Sequence, residues 1–110
     1  MVMRTRHGLP LALLTAGIAA LAACSASQVP PLRKWANEVV GNNVELLRTL
    51  EAAPESYAAR IGWQEKTYSL PDGRLVHVHP DRPGCEVHFE LDHTGTVVGY
   101  TLHGRGCRGQ

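Results

Sequence analysis

The chain has 110 residues and a mass of 12.0 kDa, a length that fits one small domain and leaves no room for two. Eleven Lys and Arg residues against ten Asp and Glu residues give a formal net charge of +1, without the basic stripe typical of nucleic-acid binding. Aromatic residues make up only 5% of the chain, which is few for a protein that reads bases by stacking. We therefore expect a single folded domain with no nucleic-acid partner.

The start of the chain has the features of a secretory signal peptide. Arg4 and Arg6 form a basic beginning, and an uncharged apolar run follows them. That run is shorter than the ~20 residues that a membrane-spanning helix needs. Residues 21–24 read Leu-Ala-Ala-Cys, the order of a bacterial lipobox, which predicts cleavage before Cys24 and acylation of its thiol. We assign residues 1–23 to a lipoprotein signal peptide.

Cys24 and the residues after it predict a lipid anchor on a short tether. Two or three acyl chains hold a protein on a membrane without spanning it. Residues 24–31 are mostly small and polar and end in a pair of prolines, which favours an extended segment. Because Ser25 follows the cysteine, we expect sorting to the bacterial outer membrane, with the domain facing the periplasm. A protein partner must then lie at or near that membrane.

Cys85 and Cys107 are the cysteines that remain outside the lipobox. Disulfides persist in compartments outside the cytoplasm, and these two cysteines form the only available pair. Closing a loop of about 23 residues contributes about 3 kcal/mol to stability in the chain-entropy account. We therefore predict a disulfide between them, with a free redox thiol or a metal thiolate as the alternative.

The segment after the tether predicts two short helices. Apolar residues recur at three- and four-residue spacing from Leu32 to Val40, and Gly41 ends that pattern. Asn43 is placed to cap a second amphipathic segment, which Pro54 ends. Core packing accounts for the apolar positions of both segments.

From residue 63 onward the period of the apolar residues falls to two, which is typical of strands. The pattern predicts four strands joined by short turns, at residues 63–70, 75–79, 85–91 and 96–103. Successive strands joined in this way run antiparallel. The predicted fold class is α+β, with two short N-terminal helices packed on an antiparallel β-meander of three to four strands, in one domain over residues 32–110.

This order of parts resembles the BamE type of small outer-membrane lipoproteins (the SmpA/OmlA family), accessory parts of the machinery that inserts β-barrel proteins. The residues that carry the resemblance are Gly41, Asn43, Leu47, Pro54 and the strand, turn and strand of residues 89–98. Glu51 stands where that family usually has an apolar residue. The resemblance implies the same fold and an accessory role beside an envelope protein.

Three strand histidines are candidate metal ligands. His77 and His79 are two residues apart, so both side chains face one side of the sheet. His88 lies on the next predicted strand between Glu86 and Glu90. If these polar faces coincide, the cluster can hold zinc or copper. The alternative, which we favour, is the polar solvent face of a half-buried sheet, with no metal or other cofactor.

No catalytic motif is recognisable in the sequence, which lacks G-x-S-x-G, H-E-x-x-H and a phosphate-binding glycine loop. We therefore expect no catalytic residues and a non-enzymatic accessory or scaffold lipoprotein, which binds an envelope protein through a sheet edge or a polar sheet face. The alternatives are a small periplasmic inhibitor, such as the lysozyme-inhibitor lipoproteins, and a metal-binding lipoprotein. Those inhibitors are all-β, so the predicted helix pair argues against them.

Overall fold

A computed structural model describes residues 31–108. The predictions made for the signal peptide, the acylated Cys24 and the tether before Pro31 lie outside these residues. Within residues 31–108 the chain forms three α-helices and a four-stranded antiparallel sheet, so the predicted α+β class is confirmed. None of these helices is long and apolar enough to cross a membrane. The elements in chain order are α1 (Leu32–Val39), α2 (Val44–Ala52), α3 (Tyr57–Arg60), β1 (Lys66–Ser69), β2 (Leu75–Arg82), β3 (Cys85–Leu91) and β4 (Val97–His103).

The first two helices begin at recognisable sequence signals. α1 begins after Pro31, whose fixed φ suits a helix start. α2 begins after Asn43, whose side-chain oxygen accepts a hydrogen bond from the Glu45 amide at 3.0 Å. Between them, Gly41 has a φ of 96°, a conformation that favours glycine. The buried residues of the two helices are Leu32, Ala36, Val39, Val44 and Leu47.

The short helix α3 has no counterpart among the predicted elements. It has four residues, of which Ala58 is the buried one, so it lacks the periodic apolar stripe from which a helix is predicted. Ser56 caps it by accepting a hydrogen bond from the Ala59 amide at 3.0 Å. Packing against β2 supports a helix that is too short to be stable alone.

The strands follow one another across the sheet in the order β1-β2-β3-β4, as expected for a meander. β3 has the predicted bounds, whereas β1 begins at Lys66 and is shorter than predicted. β2 continues past its predicted end at His79 as far as Arg82, because a register shift after Pro80 carries the pairing through the proline.

The helices cover one face of the sheet. Phe89 in β3 lies between His77 in β2 and Tyr100 in β4, and β3 residues on this side belong to the core with the helix residues. The other face, which we call the open face, bears the polar side chains of Lys66, Tyr68, Glu86, His88, Glu90, Thr101 and His103. Val76 and Val78 lie on the open face and are nevertheless buried.

The connector between α1 and α2 is bonded to the start of β4. The amide of Gly41 donates to the Val97 carbonyl, the Val97 amide donates to Asn42, and the Val44 amide donates to Gly95, each at 2.8 Å. These bonds cover the outer edge of β4 where the strand begins. The uncovered edges of the sheet are therefore β1 and the later part of β4.

Cys85 and Cys107 lie at disulfide-bonding distance, with Cα atoms 4.9 Å apart. Cys107 belongs to a single 3-10 turn after β4 that returns the chain to the start of β3. A Cβ atom on Gly104 would overlap the carbonyl oxygen of Gly84. Glycine is required there because the two backbone segments approach so closely.

Candidate functional site

His77 and His79 lie on the helix-covered face of the sheet. His77 pairs with Phe89 and His79 pairs with Val87, and both partners are core residues. His88 lies on the open face, so the three histidines do not share one polar face. The favoured interpretation, that they belong to the solvent face of the sheet, holds for His88 and is wrong for His77 and His79, which the helices cover. Alternation places His77 and His79 on one side of β2, but β2 buries residues of both parities, so alternation alone does not identify the face that the helices cover.

His88 lies on the opposite face of the sheet from His77 and His79, which removes the basis for a metal site shared by the three histidines. Among residues 31–108, no group of three or more His, Cys, Asp or Glu side chains is arranged to hold a metal ion. The sheet itself stands between His88 and the pair formed by His77 and His79. The grouping from which a zinc or copper site was considered therefore does not form.

Glu51, on the last turn of α2, binds both buried histidines through one oxygen atom. Its Oε2 accepts hydrogen bonds from Nε2 of His77 at 2.9 Å and from Nδ1 of His79 at 2.7 Å. The exposed fractions of the side chains are 9% for Glu51, 0% for His77 and 12% for His79. This Glu51–His77–His79 cluster joins the end of α2 to the middle of β2.

The carboxyl group of Glu51 is held in its ionised form. Burial on its own raises the pKa of this group, but the hydrogen bonds from His77 and His79 outweigh burial, so the pKa is lowered from its ordinary value of 4.5. A carboxylate only accepts hydrogen bonds, so Nε2 of His77 and Nδ1 of His79 carry the hydrogens. Both imidazole orientations are thereby set by one buried charge.

The other ring nitrogen of His77 is unpaired. Nδ1 is buried and has no hydrogen-bond partner among the described residues. A buried polar atom left without a partner costs about 1–3 kcal/mol. A polar cluster kept in the core at such a cost is a candidate functional group.

Two other atoms of the cluster remain available as acceptors. Oε1 of Glu51 and Nε2 of His79 have no hydrogen-bond partner within residues 31–108, and neither is sealed in the core. Both residues line a cleft of about 310 Å³ between α1, the end of α2, α3 and β2, which we call the α2–β2 cleft. In this cluster Oε2 of Glu51 fixes both histidines, whereas Oε1 of Glu51 and Nε2 of His79 are left without a partner among the described residues.

Aromatic and acidic side chains form much of the remaining wall of the α2–β2 cleft. The Trp35 ring lies 5.2 Å from the His79 ring, measured between centroids. Tyr57 of α3 lines the cleft as well, together with the carboxylates of Glu55 and Asp81. No Lys or Arg side chain of the described part of the chain lines it. Aromatic and acidic residues thus line the cleft, without a lysine or arginine of residues 31–108.

His88 is the centre of a second polar cluster, on the open face. Its Nδ1 lies 2.8 Å from the Tyr68 hydroxyl and its Nε2 lies 3.2 Å from Oε1 of Glu86. Its ring stacks on His103 with centroids 3.7 Å apart. Burial lowers the pKa of His88, the Glu86 hydrogen bond opposes that effect, and nearby His103 adds to the lowering. Both ring nitrogens of His88 are occupied by protein partners.

Of the predicted site residues, His79 is the one that reaches the cleft. His77 is sealed behind it and His88 lies on the opposite face. Cys85 and Cys107 belong to the core and do not line the cleft, and Cys24 lies outside the described residues.

Glu51 is the member of the site that the predictions missed. It follows Val44 and Leu47 on the buried stripe of α2, at a position where an acidic side chain must face the core. A carboxylate in that position needs a buried partner. That requirement was readable from the sequence, although the identity of the partner was not.

Comparisons of the chain with protein-family models, with curated proteins and with solved structures found no match.

Proposed function

We propose that the chain is a lipid-anchored accessory or scaffold protein of the bacterial outer membrane, faces the periplasm, and binds an envelope protein without catalysing a reaction. The lipobox ending at Cys24 supports the anchor. The resemblance of the helix segment and of residues 89–98 to the BamE type supports an accessory role in the envelope. The α+β class argues against the alternative of an all-β inhibitor.

The observation that carries the proposal is the open face of the sheet. The helices pack against the opposite face, so the open face and the edge strand β1 remain accessible to another protein. All four residues of Lys66–Ser69 are exposed, and an edge strand of this kind offers unpaired backbone groups for strand addition. Lys66, Tyr68 and Glu86 add polar contacts beside that edge.

The tether limits where a partner can lie. A flexible segment of the length between Cys24 and Pro31 has an end-to-end distance of about 15 Å. Anchoring holds the domain within a shallow layer above the membrane and raises its local concentration toward membrane proteins. Weak contacts through the open face are sufficient under these conditions.

Site-specific photocrosslinking in living cells tests this proposal. Tyr68 on the open face is replaced by benzoylphenylalanine, and His93 in the exposed turn between β3 and β4 receives the same probe as a control. We expect a discrete crosslinked envelope protein from position 68 and none from position 93. Equal crosslinking from both positions, or turnover of a substrate by the purified protein, would contradict the proposed role.

A further inference from the structure

Two side chains that line the α2–β2 cleft have an acceptor atom without a partner in the described part of the chain. Nδ1 of His79 is engaged with Glu51, so in the neutral imidazole Nε2 is an unpaired acceptor. Oε1 of Glu51, on a side chain that is nine-tenths buried, is also without a partner in the described part of the chain. Two unpaired acceptors at one cleft favour a ligand that brings several N–H donors.

The charge of the cleft specifies the ligand further. Glu51, Glu55 and Asp81 contribute three carboxylates, and no Lys or Arg of residues 31–108 lines the cleft. Asp81 is already paired with Arg82 through Oδ2 at 2.8 Å, so Glu51 and Glu55 are the lining carboxylates without a Lys or Arg partner among the described residues. An anionic lining of this kind is complementary to a cation and repels an acidic ligand.

The aromatic walls favour a flat cation over a compact one. Trp35 is held in place by its contacts with His79 and, edge to face at 5.9 Å, with Phe89. A guanidinium group has five N–H donors, no acceptor and weakly hydrated faces that stack on aromatic rings. An ammonium group has three donors, is more strongly hydrated and does not stack in this way.

We propose that the α2–β2 cleft binds the guanidinium group of an arginine side chain on the envelope partner. This inference rests on the proposed function, because the arginine is supplied by the same envelope protein. Since the cleft lies on the helix-covered side of β2, that protein must reach past the β1 edge as well as contact the open face. A volume of about 310 Å³ lies at the small end of ligand sites, which suits one side chain. The bond from Nδ1 of His79 to Glu51 fixes the orientation of the His79 ring beside the cleft.

Fluorine NMR on the full membrane-extracted protein in zwitterionic detergent tests the inference. The chain has two tryptophans, and Trp35 lines the α2–β2 cleft whereas Trp63 does not. With both labelled as 5-fluorotryptophan, Trp63 serves as an internal control. We expect Nα-acetylarginine amide to shift the Trp35 signal in a saturable way, with millimolar affinity, and to leave Trp63 unshifted.

Neutral and cationic analogues separate charge from shape. Nα-acetylcitrulline amide has nearly the same shape as the arginine compound but no charge, and we expect it to bind about tenfold more weakly or not at all. Nα-acetyllysine amide should bind more weakly than arginine. Equal shifts from arginine and citrulline, stronger binding of lysine, or shifts of Trp63 alone would overturn the inference.

Glu55 and Asp81 line the cleft outside the buried cluster, so their substitution tests the site without disturbing the fold. Glu55→Gln combined with Asp81→Asn leaves the buried cluster intact, and we expect it to weaken arginine amide binding about tenfold. Glu38→Gln combined with Glu45→Gln removes two exposed charges from residues that do not line the cleft and should leave the affinity unchanged. Equal effects of the two variants would show attraction by net charge only and would overturn the site. If arginine amide does not bind as expected, the cleft is not an arginine site. The proposal of an envelope partner is tested separately, by the crosslinking at position 68.

Discussion

Oε2 of Glu51 and Nε2 of His77 lie 2.9 Å apart across the junction of α2 and β2. The two residues are 26 positions apart in the chain, and their contact fixes the end of a helix against the centre of the sheet.

Replacing Glu51 by glutamine should lower the free energy of unfolding by about 1–3 kcal/mol, because two charge-assisted hydrogen bonds to a carboxylate oxygen become weaker bonds to a neutral amide oxygen. Urea denaturation of the wild type and the variant measures the difference. Glu45→Gln is the matched control, since Glu45 pairs with Arg48 at the exposed start of the same helix and should cost less than about 1 kcal/mol. Equal losses in the two variants would refute a special role for the buried cluster.

The stabilisation by Glu51 should depend on pH with a defined sign. The pKa of this carboxyl is lowered in the folded protein, so its contribution is present above the ordinary value of 4.5 and is lost as the pH falls through the lower folded value. The gap in unfolding free energy between wild type and Glu51→Gln should therefore narrow as the pH is taken from 6 to 3. A gap that widens with acid would contradict this assignment.

His88 should destabilise the fold in mild acid. Burial lowers its pKa below the ordinary 6.5, so the unfolded chain binds a proton more readily than the folded one, and stability falls as the pH drops through that range. Its charged or titratable neighbours on the open face are Tyr68, Glu86, His103 and Lys66. Compared with wild type, His88→Gln should lose less stability between pH 7.5 and pH 5.5. Identical losses would show that His88 does not contribute.

Loss of the disulfide should be costly in so small a domain. Cys85→Ser is expected to lower the unfolding free energy by about 2–4 kcal/mol, because the unfolded chain is no longer restricted by a closed loop. Thiol labelling of non-reduced protein from cells should find Cys85 and Cys107 both protected. Two freely alkylated thiols would mean that the pair is not bonded in its compartment.

Acylation at Cys24 should define the mature N-terminus. Mass spectrometry of membrane-extracted protein is expected to show loss of residues 1–23 and added lipid mass, and Cys24→Ala should leave the membrane fraction. A folded form without Cys24, directed to the periplasm, should fail to complement a deletion at native expression levels because its local concentration at the membrane is lost. Full complementation by that form would remove the argument for anchoring.

Local signals predicted much of the fold. Asn43 caps α2 because its side chain reaches an amide two residues away, and the alternation of β3 is strong enough to give its bounds. Such features depend on near neighbours in the chain. The sequence did not predict α3, because four residues with one buried side chain carry no periodic pattern.

The candidate site was harder to predict because it depends on contacts between distant segments. His77 and His79 were singled out as a pair, yet the sequence could not say which face the helices would cover. Glu51 was visible as an unusual acid on an apolar stripe, but its partners lie on a strand that begins more than twenty residues later. Proximity of this kind is decided by sheet register and helix packing together.

The bonds between the α1–α2 connector and the start of β4 make completion of the helical layer depend on a strand that is distant in sequence. Gly41 and Asn42 reach their backbone partners only after Val97 at the start of β4 is in place. The two helices therefore do not form a self-sufficient unit. We expect helices and sheet to fold in one cooperative step, whose rate is set by the closure of this long-range contact.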